Sequence, residues 1–290
     1  MIDLHTHSSA SDGDLKPAAL VEKAALQGLQ ALALTDHDTI AGLAEAKKAA
    51  ASRKIRLIPG VELEINGSQP EFPTINGEFH LLGLGIEHPT ETFLQTLGNL
   101  TEGRERRNQQ MVEKMRAAGI NADYAEIKAF AGGGTGKAGS GAEPLVGRPH
   151  FGAFLISRKI VKNQEQAFKR WLGKGRPFYV PKTGLPFATA ARLIHEAGGL
   201  AVLAHPLSLY VAWGRLPGLL AALKEQGLDG IEAWHPTAKV KACKRLEELG
   251  RSLDLRITAG SDFHGSARPE RKLGFTAGDR QIGDEFLGFL

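Results

Sequence analysis

The chain has 290 residues, of which 42% are hydrophobic and 23% charged, a balance that suits a globular protein with a sizeable core. One cysteine, Cys243, excludes an internal disulfide framework, and no stretch approaches the roughly 18 consecutive apolar residues that span a bilayer. The net charge of +4 is unevenly spread: residues 104–182 hold 16 Lys/Arg against 6 Asp/Glu, a net of +10, inside an acidic remainder of −6.

The first half alternates between helix and strand. The spacing predicts a helix over 15–29, with Pro17 in its first turn and Gly28 near its end. Short apolar runs at 30–34, 55–58 and 79–86 read as buried strands, and 41–52 as a helix between the first two. From 90 to 118 the pattern is helical and charged. The alternation resumes after Pro186, with helices at 188–197, 216–226 and 239–251 and strands at 200–203, 231–234 and 255–259. Such repetition predicts a parallel sheet, open or closed into a barrel. Residues 99–187 break the rhythm and read as an inserted, mainly helical and basic subdomain. The divided core would be 1–98 and 188–290. No secretory leader is legible, so the expected compartment is the cytoplasm.

Residues 131–147 contain seven glycines and read as a lid or linker. They are not a nucleotide-binding P-loop. That pattern needs Gly-Lys-Ser/Thr, whereas Gly136-Lys137 is followed by Ala138, and position 131 is alanine.

The histidines carry the chemistry. His88 and His195 are assigned to the surface or to ordinary packing; the other eight lie at or just beyond apolar runs or turns, beside acids, prolines or one another. His5 and His7 form a His-x-His pair, whose rings share one strand face and so reach one ion. Asp12 follows. His37 sits in Thr35-Asp36-His37-Asp38, Glu62 ends Pro59-Gly60-Val61-Glu62, and His80 opens a strand. His205 precedes Pro206, Glu232 and His235 flank Ala233-Trp234, and Asp262 and His264 flank Phe263. Nitrogen and oxygen ligand types at so many strand ends have no simple structural explanation. Buried without an ion, each unpaired polar group would cost roughly 1–3 kcal/mol. Mixed imidazole and carboxylate sets suit zinc, manganese or iron better than calcium.

This set, from His5-x-His7 through Asp12, Thr35-Asp36-His37, Gly60-Val61-Glu62, His80 and Ala204-His205-Pro206 to Asp262-Phe263-His264, resembles the PHP (polymerase and histidinol phosphatase) family. The resemblance implies a distorted (β/α)7 barrel with two or three divalent ions, manganese being the expected metal and zinc or iron the alternatives. It also implies phosphoester hydrolysis. In the implied ligand scheme, His5, His7, Glu62 and Asp262 hold the first ion. Glu62 bridges to a second, completed by His80 and His205. Asp12, His37 and His264 hold the third.

Gly147-Arg148-Pro149-His150-Phe151, 175–181 and Trp234-His235-Pro236 resemble a bacterial branch of the family. That branch includes nucleoside 3',5'-bisphosphate phosphatases and short-RNA 5'-exonucleases. The branch pattern places an arginine where this chain has Ala153; Arg148 and Arg158 remain as candidates. His150 could join or replace His205 as a ligand, or donate to phosphate. His235 and His150 are the candidate acids, with His205 a third if it is free of metal, and Arg148, Arg158, Lys182 and Asp12 are the candidate phosphate contacts.

The expected activity is removal of the 3'-phosphate from nucleoside 3',5'-bisphosphates. The basic segment would take the second phosphate through the arginine fork. A 5'-to-3' exoribonuclease acting on short RNA is the main alternative. Against it stand the three Trp, the three Tyr and the absence of a run alternating aromatic with basic residues. A small-metabolite phosphatase, such as one for histidinol phosphate, and a non-catalytic nucleic-acid-binding module are the remaining readings. No membrane or protein partner is indicated.

Overall fold

A computed structural model describes residues 1–69, 75, 77–131 and 145–288. Seven strands form one sheet in chain order: β1 (Ile2–Asp3), β2 (Ala31–Leu34), β3 (Arg56–Glu64), β4 (His80–Leu84), β5 (Leu200–Leu203), β6 (Gly230–Trp234) and β7 (Arg256–Ala259). A parallel bridge between Thr6 and Phe263, with His7 N–H donating to Phe263 O at 2.9 Å, brings the first strand against the last and nearly closes the barrel. The strands are apolar on both faces because the barrel interior lies on one side and helices on the other.

Helices α1 (Pro17–Leu26), α2 (Leu43–Arg53), α7 (Phe187–Glu196), α8 (Leu216–Glu225) and α9 (Val240–Ser252) pack outside. Pro17 opens α1, where a missing N–H costs nothing, and Gly28 with φ 79° lets the chain turn back toward β2.

Two features depart from the sequence expectation. The first is direction. β4 runs antiparallel to both β3 and β5, whereas the other pairs are parallel. Ile65 N–H donates to Phe79 O at 2.8 Å, so the chain leaves β3 and returns as a broad hairpin. Apolar periodicity carries no information on strand direction. The second is length. β3 continues six residues beyond 58, through Pro59, which loses a donor but accepts from Gly85 N–H and Ile86 N–H at 2.8 Å each.

Between β4 and β5 lie α3 (Glu91–Ala117), α4 (Tyr124–Ala131), α5 (Arg148–Ser157) and α6 (Gln164–Ala167), the last running on as a π-helical turn, Phe168–Leu172. They enclose a second apolar core, including Met111, Ile127, Phe151, Phe154 and Phe178. Helix α3 joins the two cores, with Phe93 and Leu97 packed on the barrel and Met111, Val112 and Met115 in the second cluster. Most of the glycine-rich stretch expected to act as lid or linker lies outside the described residues. Among the described residues, no helix is long and apolar enough to cross a membrane.

Candidate metal centre

The reversed strand explains why the ligand set converges. His5 and His7 follow β1, His37 follows β2, Glu62 is near the end of β3, His205 follows β5, and Asp262 and His264 follow β7. His80 begins β4, and because β4 runs backwards its start lies on the same rim as the other strand ends. His5, His7, Glu62, His80, His205, Asp262 and His264 are all buried, each at most 7% exposed.

Imidazole and carboxylate atoms meet closely around the His5–His7 pair. His5 Nε2 and His7 Nε2 are 3.1 Å apart. Glu62 Oε2 lies 3.4 Å from the first and 3.2 Å from the second, and Asp262 Oδ1 lies 3.5 and 3.2 Å from them. An ion about 2.1 Å from its ligands needs ligand separations of about 3.4 Å, which the contacts among His5, His7 and Asp262 match, with Glu62 meeting both histidines at like distances.

Glu62 Oε1 turns the other way, 2.8 Å from His80 Nδ1 and 3.1 Å from His205 Nε2, while Oε2 lies 3.0 Å from His37 Nδ1. A further group collects around Asp12 Oδ1, with His264 Nε2 at 3.3 Å and His7 Nδ1 and His37 Nε2 at 3.9 Å each. His37 thus stands between two groups: it meets His80 and Glu62 on one side and Asp12, His7 and His264 on the other.

Two observations test whether the residues fit metal ions. His7 Nδ1 is buried with no hydrogen-bond partner. The donors are imidazole and carboxylate throughout, the set suited to a first-row transition metal. Both agree with a metal cluster.

A supporting layer fixes the ligands. Glu232 Oε1 is 3.0 Å from His5 Nδ1, which leaves Nε2 free to face the cluster, and its other oxygen accepts from His205 N–H at 2.8 Å. A Cβ at position 260 would stand 2.3 Å from His5 Cβ and 2.6 Å from Glu232 Oε1, so only glycine fits beside that pair. Asp36 accepts from Ser8 N–H at 2.8 Å and from the Ser8 and Ser11 hydroxyls at 2.6 Å each, anchoring the loop that carries Asp12. Arg271 donates to the Asp262 carboxylate. His205 and Asp262 have φ of 30° and 50°, a strained backbone at two strand ends where side chains must be aimed inward.

The electrostatics follow from this crowding. Burial disfavours charging His7, yet its contacts with Asp262 and Glu62 outweigh that and raise it to about 9. His80 rises against the same burial penalty to about 10, between Glu62 and Glu64. Burial dominates at His37 and pushes it down to about 3. Glu62 and Asp262 are held well below the usual carboxylate range, burial being outweighed by the surrounding imidazoles and, for Asp262, by Arg271 as well.

The cleft over the cluster has a basic wall formed by Arg104, Arg107, Arg148, Lys182, Arg268 and Arg271. Three of these are neutralised locally, Arg104 by Asp38, Lys182 by Glu64 and Arg271 by Asp262. Arg107 is different. It is 6% exposed, its Nη2 donates to Asn108 Oδ1 at 2.8 Å, and its Nε has no partner. Burial, then the charges of Arg104 and Arg148, lower its pKa to about 9.

The remaining sequence candidates fall in several places. Arg148 begins α5 and lines the cleft, with its guanidinium 5.7 and 5.8 Å from the Phe168 and Tyr179 ring centres. Lys182 also lines it, but is held by Glu64. Asp12 faces both the cleft and the histidines. His235 is buried beneath Asp262: Thr237 N–H donates to its Nδ1 at 3.3 Å, so Nε2 carries the proton toward Asp262 Oδ2 at 3.1 Å. His150 does not line the cleft; its Nδ1 accepts from Gly147 N–H at 2.9 Å and caps α5. Arg158 is not at the site. It pairs with Glu126, half exposed, because its place at the end of α5 carries it a full helix away from Arg148. Sequence reading gave no role to Arg104, Arg107, Arg268, Arg271 or Glu64. The spacing of three within each arginine pair was the available signal.

The chain is similar to known proteins over nearly its whole length. The PHP domain description matches residues 3–137. A 5'-3' exoribonuclease from Haemophilus influenzae is 37% identical over 264 residues, covering 90% of this chain and 89% of the relative. A 3',5'-nucleoside bisphosphate phosphatase from Chromobacterium violaceum is 32% identical over 275 residues, covering 95% of this chain and 91% of the relative. A solved chain from Bifidobacterium adolescentis, whose assignment as a metal-dependent phosphoesterase is itself an inference, superposes with a TM-score of 0.81 at 26% identity, covering 99% of this chain and 93% of that one.

Proposed function

The chain belongs to the PHP domain family, and from that premise we propose that it is a metal-dependent phosphatase removing the 3'-phosphate of nucleoside 3',5'-bisphosphates. The observation that carries this reading is the pairing of two opposed features in one cleft: a cage of imidazoles and carboxylates, and a wall of arginines including the uncompensated Arg107. A substrate with one phosphate would occupy the first and leave the second without a counter-charge.

His5, His7, Glu62 and Asp262 would hold one ion, with Glu62 shared toward His80 and either His37 or His205, and Asp12, His37 and His264 around another. Divalent ions held there, manganese in this reading, would supply charge to neutralise phosphoryl oxygens and would make bound water more acidic. Arg148 and Arg107 orient the second phosphate, the first as a fork on the cleft wall and the second from beneath it. His235 donates to Asp262 and so acts as a positioning residue. The Ser208 hydroxyl donates to Glu78 O and lies 2.6 Å from His205 Nδ1, which places the imidazole proton on Nδ1 and leaves Nε2, toward Glu62, free to hold an ion. Residues 99–187 act as the substrate-side subdomain, and the protein works in the cytoplasm on phosphorylated nucleotides.

Phosphate release from adenosine 3',5'-bisphosphate with manganese tests the proposal. Release that is abolished by chelator is expected, and no release in either condition defeats it. A second reading, 5'-to-3' hydrolysis of short RNA, is favoured by the 37%-identical exoribonuclease relative. Liberation of mononucleotides from a 5'-phosphorylated trinucleotide distinguishes the two.

A further inference from the structure

Residues 168–179, Phe-Lys-Arg-Trp-Leu-Gly-Lys-Gly-Arg-Pro-Phe-Tyr, interleave four aromatic with four basic side chains and contain no acid. The segment is mixed rather than alternating, which is why the sequence alone shows no run of alternating aromatic and basic residues. The aromatic and basic positions do not alternate strictly, and their relation becomes clear only when the turn is folded.

The fold divides these residues between two directions. Trp171 and Phe178 stack at 4.8 Å with planes 9° apart and close the segment into a compact turn. Phe168 and Tyr179, at its two ends, both approach the Arg148 guanidinium on the cleft wall. Lys169, Arg170 and Arg176 point into solvent, and among the described residues no carboxylate pairs with any of them. The π-helical geometry of Phe168–Leu172 permits this arrangement: Gly173 N–H reaches back five residues to Phe168 O at 2.9 Å, a wide turn of a kind that gathers at functional sites.

We propose that this turn is a landing surface for single-stranded oligonucleotide, holding the backbone of nucleotides that follow the one seated in the cleft. Exposed cations without local acids gain by neutralising phosphates and releasing counterions, and rigid aromatic rings at the cleft edge offer a face for a base. The proposal rests on the phosphoesterase reading for where the first nucleotide sits, but binding alone tests the surface.

The experiment is fluorescence anisotropy in chelator with a 3'-labelled, 5'-phosphorylated hexaribonucleotide and the matching dinucleotide, over a potassium chloride series. The native protein binds the hexamer at least about tenfold more tightly, and K169Q/R170Q/R176Q removes that preference and flattens the salt dependence by up to about 0.7 per lost contact. Dinucleotide binding and bisphosphate turnover stay within about twofold, which also shows that the variant folds. A native protein that binds both oligomers equally, or a variant that keeps the hexamer preference, overturns the proposal. Loss of bisphosphate turnover in the native protein, with hexamer preference intact, would defeat the phosphatase reading and leave the surface standing. A hexadeoxynucleotide arm tests whether the surface distinguishes RNA; equal affinity supports recognition of the backbone and bases alone, as drawn here.

Discussion

Glu232 does not line the cleft, yet it governs two ligands, accepting from the His205 backbone and facing His5 Nδ1. Replacing Glu232 by Gln should weaken divalent metal affinity about 10–100-fold while leaving the fold intact, because the imidazole loses its orienting acceptor rather than its place. Titration calorimetry checks this, and unchanged affinity would remove Glu232 from the supporting layer. The raised histidines give a second test. His7 at about 9 and His80 at about 10 carry protons at pH 7.5 in the metal-free protein. In that state their pairing with Glu62 and Asp262 stabilises fully below the unfolded histidine value and fades as pH rises through 9 to 10. Ion binding needs neutral rings, so loading at pH 7.5 should release protons and affinity should climb with pH up to about 10. Calorimetry in two buffers of different ionisation enthalpy reads the proton count, and net uptake would contradict the assignment.

At the scale of elements, helix α3 contributes what the strands do not. It lays Arg104 and Arg107 against the cleft while its first turns pack on the barrel and its last turns in the second core. Arg107 is buried among like charges, an arrangement that costs stability in the free protein and gains only when an anion arrives. Arg107→Met should therefore raise the melting temperature by a few degrees in phosphate-free buffer, and lower kcat/KM for the bisphosphate by about 10–100-fold, since a hydrogen bond to a charged group is worth about 1.5–3 kcal/mol. A variant that is less stable and equally active would show Arg107 to be ordinary packing.

The strand and helix positions were legible because each had a clear period and a turn residue beside it: 200–203 matches β5 residue for residue, and 216–226 overruns α8 by one. The reversal of β4 was not legible, since hydrophobic spacing is identical for either direction.

Across the whole molecule, the sequence showed which residue types would gather but not how they would be shared. The His5–His7 pair, Glu62 and Asp262 could be grouped from their resemblance to a known pattern, and both carboxylates lie 3.2–3.5 Å from the two histidines. The place of His37 between two groups depends on the His37–Glu62 bridge, a contact between chain segments that no local pattern encodes. The two arginine pairs were hidden for a related reason. Arg104 and Arg107, three apart on a charged helix, look like a solvated face until a second element covers them, and Arg268 and Arg271 lie in an irregular segment whose course no local pattern fixes.

The central claim is that this rim is a cage for divalent cations that drive phosphoester hydrolysis. Elemental analysis of the purified chain, paired with bisphosphate hydrolysis before chelation, after it and after manganese is restored, tests it most directly. The account predicts two or three transition-metal ions per chain and activity that falls and returns with them. Less than one ion per chain together with full activity in chelator would contradict it.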